Sequence, residues 1–188
     1  STNRCRPSGK CGEGMMPKLS ELEPLAEQGN ADAQFKAGVI YDDFGVFETA
    51  VKWYRLAAKQ GHADAQTNLG SMYANGQGVS QNDKTAAKWW RLAANQGEAS
   101  PQFNLGLMYA QRTGVPQNYK TAVKWYTLAA EQGHSGAQTN LGLMYANGQG
   151  VPQDDKTAVK WYTLAAEQGD ADAQFSVGQM YNLGDGVL

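Results

Sequence analysis

The 188 residues carry 16 basic and 18 acidic side chains, so the formal net charge is −2 and the isoelectric point is about 5.7. The chain lacks the excess of basic residues that is typical of nucleic-acid-binding proteins, and we therefore expect no nucleic-acid partner. No apolar run approaches the roughly 18 residues that a membrane-spanning helix needs. We therefore expect a soluble protein, either cytoplasmic or, if a signal peptide has been removed, periplasmic or secreted.

A polar leader over residues 1–17 comes first in the chain and holds both cysteines, Cys5 and Cys11. In one interpretation the two thiols are free. In the other they form a disulfide, which would favour an oxidising compartment. Two cysteines with no nearby histidine do not complete a tetrahedral zinc site. A degenerate capping helix is predicted next, over residues 18–28.

A period of 36 residues dominates the remainder, residues 29–188. Three residue types recur at that interval, in the columns Trp53, Trp89, Trp125 and Trp161; Gly61, Gly97, Gly133 and Gly169; Tyr73, Tyr109, Tyr145 and Tyr181. Such a period indicates repeats that stack because none can bury its apolar face alone. Four full repeats are predicted over 29–60, 61–96, 97–132 and 133–168, with a half repeat over 169–188. The first repeat is four residues short between Tyr41 and Trp53.

Each repeat is predicted to contain two helices, A and B. In the second repeat, helix A places Ala65, Leu69 and Met72 on one face, which is the spacing of an amphipathic helix. The glycine-containing turn over residues 75–78 ends helix A, and Gly97 ends helix B. A side-chain oxygen is predicted to cap helix B in one column: Asn82, Asn118 and Asp154.

Glycine also occurs inside helix A, where it costs about 1 kcal/mol relative to alanine. These glycines predict the close approach of a neighbouring helix at one column: Gly70, Gly106, Gly142 and Gly178.

The repeated pattern A-x-A-Q-x-x-L-G-x-M-Y-x-x-G-x-G-V, followed by A-x-x-W-Y-x-L-A-A-x-x-G, resembles the Sel-one-like repeat (SLR) family, a relative of the tetratricopeptide repeats. The resemblance covers roughly residues 29–188. Arg112 and Pro101 depart from the pattern, which suggests local distortion. The resemblance implies an all-α fold, a right-handed α-solenoid superhelix of stacked helix–turn–helix repeats, acting as an adaptor or scaffold.

In related solenoids helix A lines a concave groove, which points to one column as peptide-binding: Lys36, Asn68, Asn104, Asn140 and Ser176. The asparagine amides offer a donor and an acceptor to a peptide backbone, the role of the corresponding asparagine in tetratricopeptide arrays. In the alternative interpretation these amides are solvated or bond neighbouring helices.

Phenylalanine occupies alternate repeats in the adjacent column, at Phe35, Phe103 and Phe175. One interpretation makes these rings apolar pockets in the groove, together with Leu107 and Leu143. In the other, the rings fold into the seam between repeats.

Lysines recur on helix B, where we predict a solvated face rather than a basic binding stripe. They occupy two columns: Lys52, Lys88, Lys124 and Lys160; Lys84, Lys120 and Lys156. His62 and His134 lie two repeats apart, too far to share a metal, and are interpreted as boundary residues.

Catalytic motifs are missing from the sequence: no serine has a lysine three residues on, and no His-Glu-x-x-His pair, phosphate loop or nucleophile elbow occurs. We therefore predict no catalytic residue, no metal and no cofactor. The predicted function is a non-enzymatic adaptor for a protein or peptide. The alternatives are self-assembly through the open C-terminal repeat and, from the resemblance, a β-lactam-binding or β-lactamase-type protein.

Overall fold

The computed structural model describes residues 16–184, and these form ten α-helices without a β-strand. The helices are α1 (Met16–Glu27), α2 (Ala31–Asp43), α3 (Phe47–Lys59), α4 (Ala63–Asn75), α5 (Asp83–Ala94), α6 (Ala99–Gln111), α7 (Tyr119–Glu131), α8 (Ser135–Asn147), α9 (Asp155–Glu167) and α10 (Ala171–Leu183). Cys5 and Cys11 lie outside these residues, so neither interpretation of the two thiols is tested. The helices fall into an N-terminal block that ends at Ala93 and a C-terminal block that begins at Ala94.

The N-terminal block begins with a helix that takes the place of a helix B. Leu19 and Ala26 of α1 are buried in a cluster with Ala33 and Ala37 of α2, and Trp53 of α3 completes it. The even-numbered helices from α2 onward are the A helices, and α3, α5, α7 and α9 are the B helices. The A-to-B linker is three residues long after α2 and seven residues long after α4, α6 and α8, which confirms the four-residue shortening of the first repeat.

The glycine inside helix A lies against an aromatic ring of helix B. A Cβ atom added at Gly106 would lie 2.5 Å from the ring of Tyr126, and one at Gly142 would lie 2.8 Å from the ring of Tyr162. Gly38 and Gly70 lie equally close to Tyr54 and Trp90 in the N-terminal block. The predicted close approach is thus confirmed for Gly70, Gly106 and Gly142, while Gly178 has no neighbour within 4 Å.

The aromatic residue that makes this contact is the one after the periodic tryptophan. Tyr54 is 1% exposed and Tyr126 is 2% exposed, whereas Trp89, Trp125 and Trp161 are only partly buried. The tryptophan column that marks the period in the sequence is therefore not the deepest aromatic column of the fold.

Glutamines are the only buried polar side chains among residues 19–184, and every one belongs to helix A: Gln34, Gln66, Gln102 and Gln138. Nε2 of Gln138 donates to the carbonyl oxygen of Ala130 at 3.1 Å. Its Oε1 accepts from Nε2 of Gln168 at 2.7 Å. The other three donate to Ala26, Ala58 and Ala94 in the same way. A buried amide is costly unless it is hydrogen-bonded, so these bonds fix where successive helices meet.

The helix ends follow the predicted chemistry. The side chains of Asn82, Asn118 and Asp154 accept from the backbone N–H three residues later, as expected. Arg112 does not distort the end of α6: its φ of 62° matches the 63° of Gly148 at the end of α8. The backbone keeps the left-handed conformation and Arg112 is the only described non-glycine residue with positive φ.

Replacing Gly106 by alanine is expected to lower the free energy of unfolding by about 1–3 kcal/mol, because the methyl group overlaps the buried Tyr126 ring. The matched variant Gly178→Ala adds a methyl group to open space, and should raise helix stability by about 0.5–1 kcal/mol. Urea unfolding followed by circular dichroism measures both. Equal effects of the two substitutions would contradict the packing argument.

Replacing Arg112 by glycine is expected to stabilise the protein by about 0.5–1 kcal/mol, since glycine adopts positive φ without the clash of a Cβ atom. The opposite exchange at the equivalent turn, Gly148→Ala, should cost about 1 kcal/mol. Thermal and urea unfolding provide the comparison. A less stable Arg112→Gly protein would show that the arginine side chain contributes a compensating interaction.

Candidate functional site

One face of helix A is open to solvent in the register predicted for the groove. In α4 the buried positions are Ala65, Gln66, Leu69, Gly70 and Met72. Asn68, which is predicted to face the groove, is partly exposed, as are Thr67 and Ser71, and Asp64 and Asn75 are exposed. The same alternation recurs in α6 and α8, where Asn104 and Asn140 are partly exposed.

Two of the three asparagines are hydrogen-bonded to a tyrosine of the preceding helix B. Asn68 bonds the Tyr54 hydroxyl and Asn140 bonds the Tyr126 hydroxyl. Burial of the phenols raises the pKa of both tyrosines, so both hydroxyls stay protonated, and the asparagine amide, which lowers the pKa, donates to the phenol oxygen. An asparagine amide has two donor hydrogens and an acceptor oxygen, so one such bond leaves polar atoms for a ligand.

The third asparagine, Asn104, has a different environment. No hydrogen bond described within the C-terminal block involves its side chain. At the helix-B position equivalent to Tyr54 and Tyr126, the preceding repeat has Trp90, whose Nε1 donates to the Thr67 carbonyl oxygen at 3.1 Å within its own hairpin. Within the C-terminal block, Asn104 therefore differs from Asn140, which bonds the Tyr126 hydroxyl.

The two ends of the column differ from its centre. Lys36 is exposed on α2. Ser176 of α10 donates to the Asp172 carbonyl oxygen at 2.8 Å and bonds the Tyr162 hydroxyl.

Phe35 and Phe103 lie in seams between successive helices. The Phe103 ring stacks on His134 with 4.5 Å between centroids and is tilted against Tyr126 at 6.1 Å. Phe35 has the same relation to His62 and Tyr54, and both phenylalanines are partly buried. These two rings therefore pack in the seam between helices, whereas Phe175 does not.

The other predicted apolar residues of the groove fall into two environments. Leu107 is partly buried against the core cluster of α7 and α8. Leu143 and Phe175 are open to solvent, with 46% and 67% of their surface exposed. Leu143 is therefore the exposed aliphatic residue on the same helix as Asn140.

The two histidines have a structural role that the sequence did not reveal, because each is the N-cap of an A helix. Nδ1 of His134 accepts from the Ala137 N–H at 3.2 Å, and Nδ1 of His62 accepts from Ala65 at 3.4 Å. Nε2 of His62 also lies 3.3 Å from Asp32 Oδ1. The available signal was the column itself, since Asn30 and Asp170, both common N-caps, occupy the same position.

Within residues 16–184 no group of three histidine, cysteine or acidic side chains is arranged to hold a metal ion. The same part of the chain contains no helix of the length and apolarity required to cross a bilayer.

Comparison with known families supports the repeat assignment. A family model described as the Sel1 repeat matches residues 31–62, 63–98, 102–134, 135–170 and 171–188. No curated protein matches the sequence significantly.

Solved structures with this fold include a protective antigen present in uropathogenic Escherichia coli strains, described as displaying an SLR fold. It is 40% identical with a TM-score of 0.87, and the match covers 90% of this chain and 37% of the antigen. A Sel1 repeat protein from Oxalobacter formigenes is 37% identical with a TM-score of 0.81, covering 90% of this chain and 77% of that one. Helicobacter pylori cysteine rich protein B, 23% identical with a TM-score of 0.53, shares the fold over 68% of this chain and 91% of its own. The predicted all-α fold of repeated helical hairpins is confirmed.

Lowering the pH is expected to destabilise the protein in part through His134. Burial lowers the pKa of this imidazole below 6.5, and its Nδ1 accepts a hydrogen bond only when unprotonated. The unfolded chain therefore binds a proton that the folded chain does not, so this stability is complete above pH 6.5 and is lost as the pH falls through the folded pKa.

The test compares the free energy of unfolding at pH 7.5 and pH 5 in the wild type and in His134→Asn, which substitutes the cap used at Asn30. The variant should lose less stability than the wild type over that interval. An identical loss in both proteins would exclude His134 as a source of the pH dependence.

Proposed function

Because the chain belongs to the Sel1 repeat family, whose repeats commonly form protein-interaction scaffolds, we propose that it is a non-enzymatic adaptor. Its ligand is an extended segment of a partner protein, bound along the exposed faces of the A helices in the predicted concave groove. The chain spans 37% of the length of the Escherichia coli antigen that it resembles, so the proposal concerns this segment of repeats.

The observation that carries the proposal is the recurrence of an asparagine at one exposed register, in α4, α6 and α8. A peptide backbone presents alternating N–H and carbonyl groups, and an amide side chain complements both. Asn104 is the strongest contributor in the C-terminal block, because no hydrogen bond described there engages its side chain, whereas Asn140 bonds the Tyr126 hydroxyl. Leu143 adds aliphatic surface beside Asn140.

Because Phe103 lies in the seam between helices, we do not include it among the residues that contact the ligand directly. Its ring stacks on His134 and contacts the core, so its removal would change repeat packing together with any ligand contact. The proposed contacts are therefore hydrogen bonds from the asparagines and apolar contact with exposed aliphatic residues such as Leu143. Phe35 and Phe103 support this surface from the seam.

The absence of catalysis is part of the proposal. Sel1 repeat proteins are generally non-catalytic, and the Ser-x-x-Lys motif of serine β-lactamases is missing from the sequence. Turnover of nitrocefin above a buffer control would restore the β-lactamase alternative.

Replacing Asn104 by alanine is expected to weaken binding of groove-directed peptides about tenfold, the effect of losing one to two hydrogen bonds. Peptides are first selected on an unbiased array with the wild-type protein, and affinities are then measured by fluorescence anisotropy. Asn95→Ala, at an exposed asparagine outside the A helices, is the matched control and should leave affinity unchanged.

Equal affinities in Asn104→Ala and the wild type would exclude the asparagine register as the binding site. Self-assembly through α10, where Phe175, Tyr181 and Leu183 are exposed, predicts a different result. Sedimentation coefficients would then rise with protein concentration in the absence of peptide.

A further inference from the structure

The solvent side of the B helices carries a second repeated pattern that the groove does not use. One leucine of each B helix is exposed at the same register: Leu56, Leu92, Leu128 and Leu164. An exposed lysine lies one helical turn before each of them: Lys52, Lys88, Lys124 and Lys160. Single exposed leucines are ordinary on protein surfaces. Four leucines at one register, each beside a lysine, form a regular pattern of apolar and positively charged groups.

The charge around this pattern differs between the two blocks. Helices α3 and α5 of the N-terminal block each carry three basic residues and one acidic residue. Helix α7 carries two basic residues and one acidic residue, and α9 carries two of each. The residue three positions after the exposed leucine is Lys59 in α3, but it is Glu131 in α7 and Glu167 in α9. Although the whole chain is slightly acidic, the helix-B side of the N-terminal block is basic.

Helices α3 and α5 are neighbours in the N-terminal block. Trp89 of α5 packs against the core cluster that contains Val51 and Tyr54 of α3. Leu56 and Leu92 occupy equivalent positions on the sides of these helices that face away from that core. We call the surface formed by Lys52, Leu56, Lys59, Lys88 and Leu92 the basic leucine face; all five of its residues are exposed.

We propose that the basic leucine face binds an acidic segment of a partner protein in which apolar side chains alternate with carboxylates. The carboxylates complement the three lysines, and the apolar side chains cover Leu56 and Leu92. A nucleic-acid backbone supplies negative charge but no aliphatic partner for the leucines. Leu56 and Leu92 expose 38% and 47% of their surface, and two such side chains offer much less apolar area than the apolar face of an amphipathic membrane-binding helix.

The proposal is tested by fluorescence anisotropy with two labelled synthetic peptides of equal length and charge. One repeats Glu-Glu-Leu and the other repeats Glu-Glu-Ser. The Leu-containing peptide should bind at least tenfold more tightly, and its affinity should fall with added salt. In the double variant Leu56→Ser, Leu92→Ser this advantage should disappear. Both substitutions are at exposed positions, and circular dichroism checks that the helices remain.

The C-terminal block supplies the matched control, Leu128→Ser with Leu164→Ser, which makes the same chemical change at the same register beside glutamates. This control should retain the affinity of the wild type for the Leu-containing peptide, as should Asn104→Ala in the groove. Equal losses in the two leucine pairs, or equal affinities for the two peptides, would overturn the proposal. Tighter binding to phosphatidylserine vesicles or to duplex DNA than to the peptide would also overturn it.

Discussion

The contact between the glycine of helix A and the aromatic ring of helix B is the constraint on which the rest of the fold depends. The ring lies where a Cβ atom would otherwise stand, as Tyr126 does against Gly106. This contact sets the distance between the two helices of a hairpin, and it lets a large ring be almost fully buried by small residues. Buried alanines of helix B, such as Ala122 and Ala129, continue the same close-packed surface.

Close packing alone would allow the helices to slide, and the buried glutamines remove that freedom. Gln138 must reach both the Ala130 carbonyl and the Gln168 amide, and a displacement of one residue would leave a polar group unpaired inside the protein. The glycine contact and the glutamine bonds use the sides of the helices that face one another. Two other surfaces are not buried by this packing. These are the asparagine register of helix A and the lysine–leucine register of helix B.

The sequence predicts the helices, the turns and the caps because these depend on residues close together in the chain. The spacing of apolar positions, the glycine of each turn and Asn118 before α7 are examples. Contacts between different helices were less predictable. The tryptophans mark the period most clearly in the sequence, yet Tyr126 is more buried than the neighbouring Trp125. Which of the two rings is buried depends on how closely helices A and B approach each other. The environment of Phe103 does not follow from the sequence for the same reason, since its stacking partner His134 comes from the next A helix. The bond between Asn140 and Tyr126 likewise depends on the approach of two helices.

The glutamine bonds have a consequence for how such a chain changes in length. Gln138 reaches the carbonyl of Ala130, and Gln174 reaches the carbonyl of Ala166, the same atom one period of 36 residues later. Helix α10 would therefore find an equivalent acceptor on α7 if residues 135–170 were deleted as a unit. Duplication or loss of a gene segment that encodes a whole period therefore preserves this glutamine pairing, whereas a deletion of another length inside a helix moves the glutamine out of register with its acceptor. The short linker of the first repeat shows where a partial deletion is tolerated: between helix A and helix B, where none of the four buried glutamines lies.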